Sequence, residues 1–138
     1  MASADRDVLI VDDDDIVAEA IADGVRLLGY TVCGIADNFD QALELTRTHL
    51  PRFAIVDVDL GGVDDGIEAA REMQKIGPVG IMFVTGYPDK VRAAGVGHAW
   101  LAKPYRVLDL VTGLEVVRAM SEQKTVTTPV PAALKLIS

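Results

Sequence analysis

The sequence predicts an α/β domain built on a doubly wound, five-stranded parallel sheet with five helices, and two observations carry that reading. Short apolar runs alternate along the chain with longer stretches in which apolar residues recur at helical spacing. Strict strand–helix alternation forces parallel strands joined by right-handed crossovers, with helices on both faces. The polar residues of chemical interest all fall where an apolar run ends, the edge at which such sheets bind ligands.

The first run, Val8, Leu9, Ile10 and Val11, stops at the aspartates Asp12 to Asp15, as a strand buried on both faces does at a polar edge. From Asp15 the period changes. Ile16, Val17, Ala20, Ile21, Val25, Leu27 and Leu28 follow helical spacing, with acids in the first turn and Gly29 behind the last apolar pair. Residues 30–35 are short and β-branched, a second strand. Asp37 then offers a cap to a helix carrying Phe39, Ala42, Leu43, Leu45 and Leu50 and stopped by Pro51. Residues 53–56 make a third strand before Asp57, followed by a glycine-rich loop at Gly61 and Gly62 and a helix over 65–75. A fourth strand over 79–84 ends at Thr85. The next segment, broken by Pro88, Gly95 and Gly97, has room only for a shortened fourth helix. Residues 98–101 form the fifth strand, Lys103-Pro104 ends it, and Val107, Leu108, Leu110, Val111, Leu114, Val117 and Ala119 mark the fifth helix. Beyond Ser121 the signal fades into a Thr/Pro-rich stretch and a short apolar end. The expected division is a domain over 5–121 and a tail over 122–138 that lies outside the sheet.

Composition narrows the function. A chain of 138 residues, half hydrophobic and a quarter charged, is one domain with a full core, which excludes disordered, collagen-like and disulfide-stapled classes. Thirteen basic against 21 acidic residues give a net charge of −8, so the attraction to phosphate backbones is missing and direct nucleic-acid binding is not expected. The lone Cys33 permits neither an intramolecular disulfide nor a cysteine metal cluster and reads as a buried strand residue in a reducing compartment. His49 and His98 lack ligand spacing and read as structural. No leader-like or bilayer-length apolar run is present, so the expectation is a cytoplasmic protein without membrane contact.

VLIVDD at the first strand end, IVDVDLGG at the third, FVTG at the fourth and LAKPY at the fifth, in that order, resemble the receiver domain of two-component response regulators from about Val8 to Met120. The resemblance implies a flavodoxin-like sheet of order 2-1-3-4-5, which makes strands one and three neighbours and brings Asp12, Asp13 and Asp57 together. It implies Asp57 as phosphoacceptor, with metal ligands at Asp13, Asp57 and the backbone carbonyl of Asp59, and with Asp12 reaching the metal through water. Thr85 falls where the family hydroxyl turns toward the new phosphoryl group, Lys103 where a lysine offsets its charge, and Pro104 where the preceding peptide bond is cis. Trp100 falls at the family's aromatic switch, with a core tryptophan a nearly equal reading.

Elementary chemistry points the same way. Carboxylates gathered at a sheet edge raise each other's pKa unless a hard dication takes their oxygens, and Mg2+ (or Mn2+) with retained waters suits such a site. A carboxylate held beside the metal and an ammonium can accept a phosphoryl group as an acyl phosphate. The acidic run could instead be only a solvated helix start; within it, Asp12 and Asp13 directly follow the strand, which leaves Asp14 and Asp15 to open the helix. Asp57-Val-Asp59 also resembles the nucleophile motif of haloacid-dehalogenase-type phosphatases, but those enzymes open with that strand and need a larger, cap-bearing domain. Asp57, Asp59, Gly62 and Glu68 match calcium-loop spacing, but Gly61 stands where a ligand is needed and a strand precedes.

The reading is a single-domain signalling switch, not a turnover enzyme, which takes a phosphoryl group from a phosphohistidine of a sensor kinase or phosphotransfer protein onto Asp57. No output domain is expected after the fifth helix, so output goes through contact with a downstream protein, and the resemblance allows a homodimer through the fourth helix, fifth strand and fifth helix. A phosphorylation-independent interaction module is the remaining alternative. Two departures from the family bear on that output surface: a chain about one helical turn shorter between Thr85 and Trp100, and Asp59 with Gly61-Gly62 in place of the common Leu-Pro-Gly loop.

Overall fold

The structure, a computed structural model, describes residues 5–60, 65–127 and 129–137. The loop glycines Gly61 and Gly62 lie outside them. Strands and helices alternate as β1 (Asp7–Val11), α1 (Asp15–Leu27), β2 (Thr31–Ala36), α2 (Phe39–His49), β3 (Phe53–Asp57), α3 (Asp65–Ile76), β4 (Gly80–Thr85), α4 (Pro88–Ala94), β5 (Ala99–Ala102) and α5 (Val107–Ser121), and the chain then adds β6 (Leu134–Leu136). The sheet order is β2-β1-β3-β4-β5-β6, parallel throughout except for the antiparallel β5–β6 pair.

The central strands are continuous apolar runs because both of their faces are covered. Val8, Ile10, Phe53, Ile55, Met82, Val84 and Leu101 pack with α1 and α5 on one face. Their neighbours Leu9, Val11, Ala54, Val56, Ile81, Phe83 and Trp100 pack with α2, α3 and α4 on the other. This period of two follows from the pleat, which sends successive side chains to opposite faces.

Four expectations need correction. The tail is not outside the sheet: Leu134, Lys135 and Leu136 pair with Leu101, Trp100 and Ala99, and Leu134 is buried, so a sixth strand closes the outer edge of β5. Not all of the apolar spacing of α1 faces the core. Ala18, Ile21, Ala22 and Val25 are buried, while Ile16 and Leu27 are over four-fifths exposed. Asn38, not Asp37, caps α2: its Oδ1 accepts the Gln41 N–H at 2.9 Å, and the Asp37 carboxylate accepts from the Asn38 amide at 2.6 Å. Cys33 is only half-buried, because it sits on edge strand β2 where the register slips between Val8↔Val32 and Leu9↔Gly34.

The fourth helix is short, as expected, with seven residues; Pro88 opens it and Gly95, at φ 65°, ends it in the left-handed region. Among the described residues no helix is long and apolar enough to cross a membrane.

Candidate functional site

Three strand ends meet at one edge. The Asp12 N–H donates to the Ala36 carbonyl at 2.9 Å and so extends the β1–β2 ladder by one residue past Val11. That fixes Asp12 inside the edge and Asp13 at the surface. Asp14 is the N-cap of α1, its Oδ1 accepting from the N–H groups of Ile16 and Val17 at 3.0 and 3.2 Å, and Asp15 lies in the first turn, where an acid favours the helix dipole. The aspartate run is thereby split between site and helix.

β3 is the neighbour of β1, and its last residue, Asp57, faces this pair. Oxygens of Asp12, Asp13 and Asp57 all lie within 4.8 Å of one another, and this is the only such acidic group among the described residues. Asp57 is 6% exposed. Its Oδ1 accepts the Asp59 N–H at 3.0 Å and its Oδ2 accepts from the Lys103 ammonium at 3.1 Å. Lys103 follows β5 directly and is joined to Pro104 by a cis peptide bond; its backbone N–H donates to the Thr85 carbonyl at 2.9 Å, which ties the end of β5 to the end of β4.

Asp12 is 1% exposed, and only one of its oxygens is satisfied. Oδ1 accepts the Asp14 N–H at 2.9 Å, while Oδ2 is the one buried side-chain oxygen without a hydrogen-bond partner among the described residues. Burial, then the nearby Asp57 and Asp13 charges, push its carboxyl up to about 6. An orphaned carboxylate oxygen beside two further carboxylates is a donor set for a hard cation, which takes oxygen ligands and offsets their repulsion. These residues fit a divalent cation.

Thr85 is buried, and its Oγ1 accepts the Tyr87 N–H at 2.8 Å, at the entrance to α4. Trp100 is buried in the core that includes Phe83 and Val91, with the Arg92 guanidinium 5.3 Å from its ring centre. The Asp59 carboxylate lies 3.7 Å from Lys90 Nζ on α4. It thus faces a cation on the helix, while its backbone N–H serves Asp57.

Two residues of this edge escape sequence reasoning. A Cβ on Gly66 would stand 2.1 Å from the Asp57 carbonyl oxygen, so only glycine lets the first turn of α3 pass so close to the end of β3. A glycine two residues into an expected helix, where no turn calls for it, is the signal that could have revealed it. Tyr105 is half-buried, and burial together with the Asp12 and Asp57 charges pushes its phenol up to about 12, so it stays protonated beside the acidic cluster. Two surface concavities, of about 380 and 430 Å3, lie instead around Arg52, Pro78 and Val79, at the opposite ends of the strands.

Comparison with known proteins agrees with this geometry. The family model for the response regulator receiver domain matches residues 8–115. The transcriptional regulatory protein PdtaR of Mycobacterium tuberculosis is 34% identical over 119 residues, which are 83% of this chain and 58% of PdtaR, so the chain spans under two thirds of that relative. Among solved structures, the signal receiver domain of a modulated diguanylate cyclase from Desulfovibrio desulfuricans is 28% identical, with a TM-score of 0.74 over 85% of this chain and 96% of that one. A response regulator from Burkholderia pseudomallei, solved with a phosphorylated aspartic acid, a calcium ion and citrate, is 26% identical, with a TM-score of 0.71 over 91% and 76%. The matched span holds all four strand-end motifs and the six-stranded sheet keeps β1 beside β3, so this chain belongs to the response regulator receiver-domain family.

Proposed function

We propose that this chain is a phosphoacceptor switch in which Asp57 takes a phosphoryl group from a phosphohistidine. The observation that carries the reading is the Asp57 carboxylate itself, held by the Lys103 ammonium and the Asp59 N–H beside the unsatisfied Asp12 oxygen. The Burkholderia relative, which contains a phosphorylated aspartic acid and a calcium ion, supports both parts of it.

Each group then has one task. Asp12, Asp13 and Asp57, with the Asp59 carbonyl, would hold Mg2+ or Mn2+, which when bound supplies positive charge between the acceptor carboxylate and the incoming phosphoryl oxygens. An oxygen of Asp57 attacks phosphorus; the donor P–N bond breaks, and the imidazole nitrogen keeps the electron pair and takes up a proton. Lys103 offsets charge on the transferred oxygens. Thr85, whose hydroxyl oxygen now accepts from Tyr87, turns to hydrogen-bond the new group, and Trp100 repacks beside it. The receiver unit is taken as 5–121, with 122–138 appended.

The family is one of signalling domains, which supports a switch over a turnover enzyme. The donor is a sensor histidine kinase or a histidine phosphotransfer protein, the target a protein reached by direct contact, and the compartment the cytoplasm. Phosphotransfer from a labelled phosphohistidine protein tests this. The label should appear on the chain only with Mg2+, decay in alkali as an acyl phosphate does, and be absent from Asp57→Asn. Normal partner binding by a chain that never accepts label would favour the phosphorylation-independent module.

A further inference from the structure

The attachment of β6 is slight for a sheet strand. The Ala102 N–H donates to the Ala133 carbonyl at 3.3 Å, three residues pair, and the Ile137 N–H donates to the His98 carbonyl at 2.8 Å. Leu134 is the one buried side chain of the strand, seated against the α5 face; Ile137 packs half-buried on the opposite face in the core that holds Trp100. Lys135 and Leu136 are exposed. On the way, Pro129, Val130 and Pro131 pass the start of α5 without filling the space there, leaving an open cavity of about 390 Å3 against Arg106, Leu108, Asp109 and Thr112. With Ala133 also half-buried against the α5-side core, the segment is seated by one buried and two half-buried side chains, and segments with so little buried surface open at lower free energy than the domain core.

What it covers is the sequence Ala99-Trp100-Leu101-Ala102, an uncharged strand that without β6 would be a bare sheet edge. Such an edge pairs with an extended segment from another chain. The same strand leads to the acidic cluster. Ala102 donates outward to Ala133, and the next residue, Lys103, donates inward to the Thr85 carbonyl and, through its ammonium, to Asp57. The last residue of β5 and the one that follows it therefore hold the strap on one side and the site on the other.

We propose that residues 129–137 form a strap that masks the outer edge of β5, occupies the place an extended apolar segment of a partner protein would take, and loosens when Asp57 is loaded. The coupling rests on the phosphoacceptor reading above. A group on Asp57 that draws Lys103 and the Thr85 hydroxyl toward it pulls the end of β5 away from a strap gripping the preceding residue through a long hydrogen bond. Coupling between two sites is reciprocal, so whatever opens the strap must tighten binding at Asp57 by the same factor.

The test uses the full chain and Leu134→Asp, which places a carboxylate in the one buried seat of β6, with Leu134→Ala as a milder opening and Lys135→Ala as a control on the exposed side of the same strand. Hydrogen exchange at Trp100–Ala102 and 129–137 should speed up in the parent when beryllofluoride is added at saturating Mg2+. Calorimetry should find beryllofluoride bound about five-fold tighter or more by Leu134→Asp than by the parent, with Lys135→Ala unchanged. A synthetic peptide of residues 129–138 should bind Leu134→Asp and not the parent. Beryllofluoride binding that is equal in the parent and both Leu134 variants, with exchange unmoved, overturns the coupling while leaving the phosphoacceptor reading intact. No beryllofluoride binding by the parent overturns that reading and the coupling with it. Failure of the peptide to bind either opened variant overturns the masking.

Discussion

Replacing Asp12 by Asn should stabilise the metal-free protein, against the usual expectation for a buried residue. The Asp12 carboxyl is raised from 3.8 to about 6, burial being the largest cause. Below pH 3.8 it is protonated in folded and unfolded chains alike and contributes nothing. Between the two values the folded state holds a proton that the unfolded state has lost, so stability falls as pH rises. Above about 6 both states are ionised and the folded state carries the full penalty, roughly 3 kcal/mol. Asparagine removes the charge and keeps an oxygen for the Asp14 N–H, but it buries an amide in place of Oδ2, which returns about 1 kcal/mol or more of that gain. A net stabilisation of about 1–2 kcal/mol corresponds to a rise in thermal midpoint of roughly 3–7 °C for a domain of this size. The assay is thermal unfolding of parent and variant from pH 4 to 8 in chelator and again in excess Mg2+. In chelator the variant should lie slightly below the parent near pH 4, where only the amide cost remains, and above it beyond pH 6; Mg2+ should raise the parent more than the variant, because the parent alone offers it the ionised Oδ2. Coincident midpoints at pH 7.5 in chelator, with equal pH slopes, would refute the reasoning.

Gly66→Ala should lower both stability and phosphorylation, since its Cβ would meet the backbone carbonyl of Asp57 at 2.1 Å and no flexible side chain can give way; a cost of about 2 kcal/mol or more is expected in chemical denaturation, and a variant as stable and as readily labelled as the parent would contradict this. Trp100, the only tryptophan, should change its emission when beryllofluoride is added at saturating Mg2+, with the change abolished in Asp57→Asn and reduced in Thr85→Ala. Calorimetrically bound mimic with fixed emission would reduce Trp100 to a core residue.

The strands were legible where burial on both faces leaves a continuous apolar run, as at Val8–Val11 and 53–56, and the acidic edge was legible because each run stops at a chemically distinct residue. The split of the aspartates followed from the strand end alone. The cap of α2 was misassigned because Asp37 and Asn38 are both good caps, and only the local backbone decides which oxygen reaches Gln41. Ile16 and Leu27 satisfy helical spacing yet face solvent, since periodicity records apolarity rather than what lies opposite. The sixth strand had almost no signature: Leu134, Lys135 and Leu136 are too few to show a period, follow two prolines, and pair only because β5 offers a free edge. Gly66 was hidden for a related reason, as its constraint is the approach of a backbone distant in sequence.

That the phosphoryl group resides on Asp57 is checked by treating the full chain with acetyl phosphate and Mg2+, reducing with borohydride, and sequencing the tryptic peptides 7–26 and 53–71 by mass spectrometry. Borohydride converts a phosphorylated aspartate to homoserine and leaves free carboxylates untouched. Homoserine is expected at residue 57 alone, dependent on Mg2+ and absent without the phosphodonor. Homoserine at Asp12, Asp13 or Asp59, or persistent modification of Asp57→Asn, would contradict it.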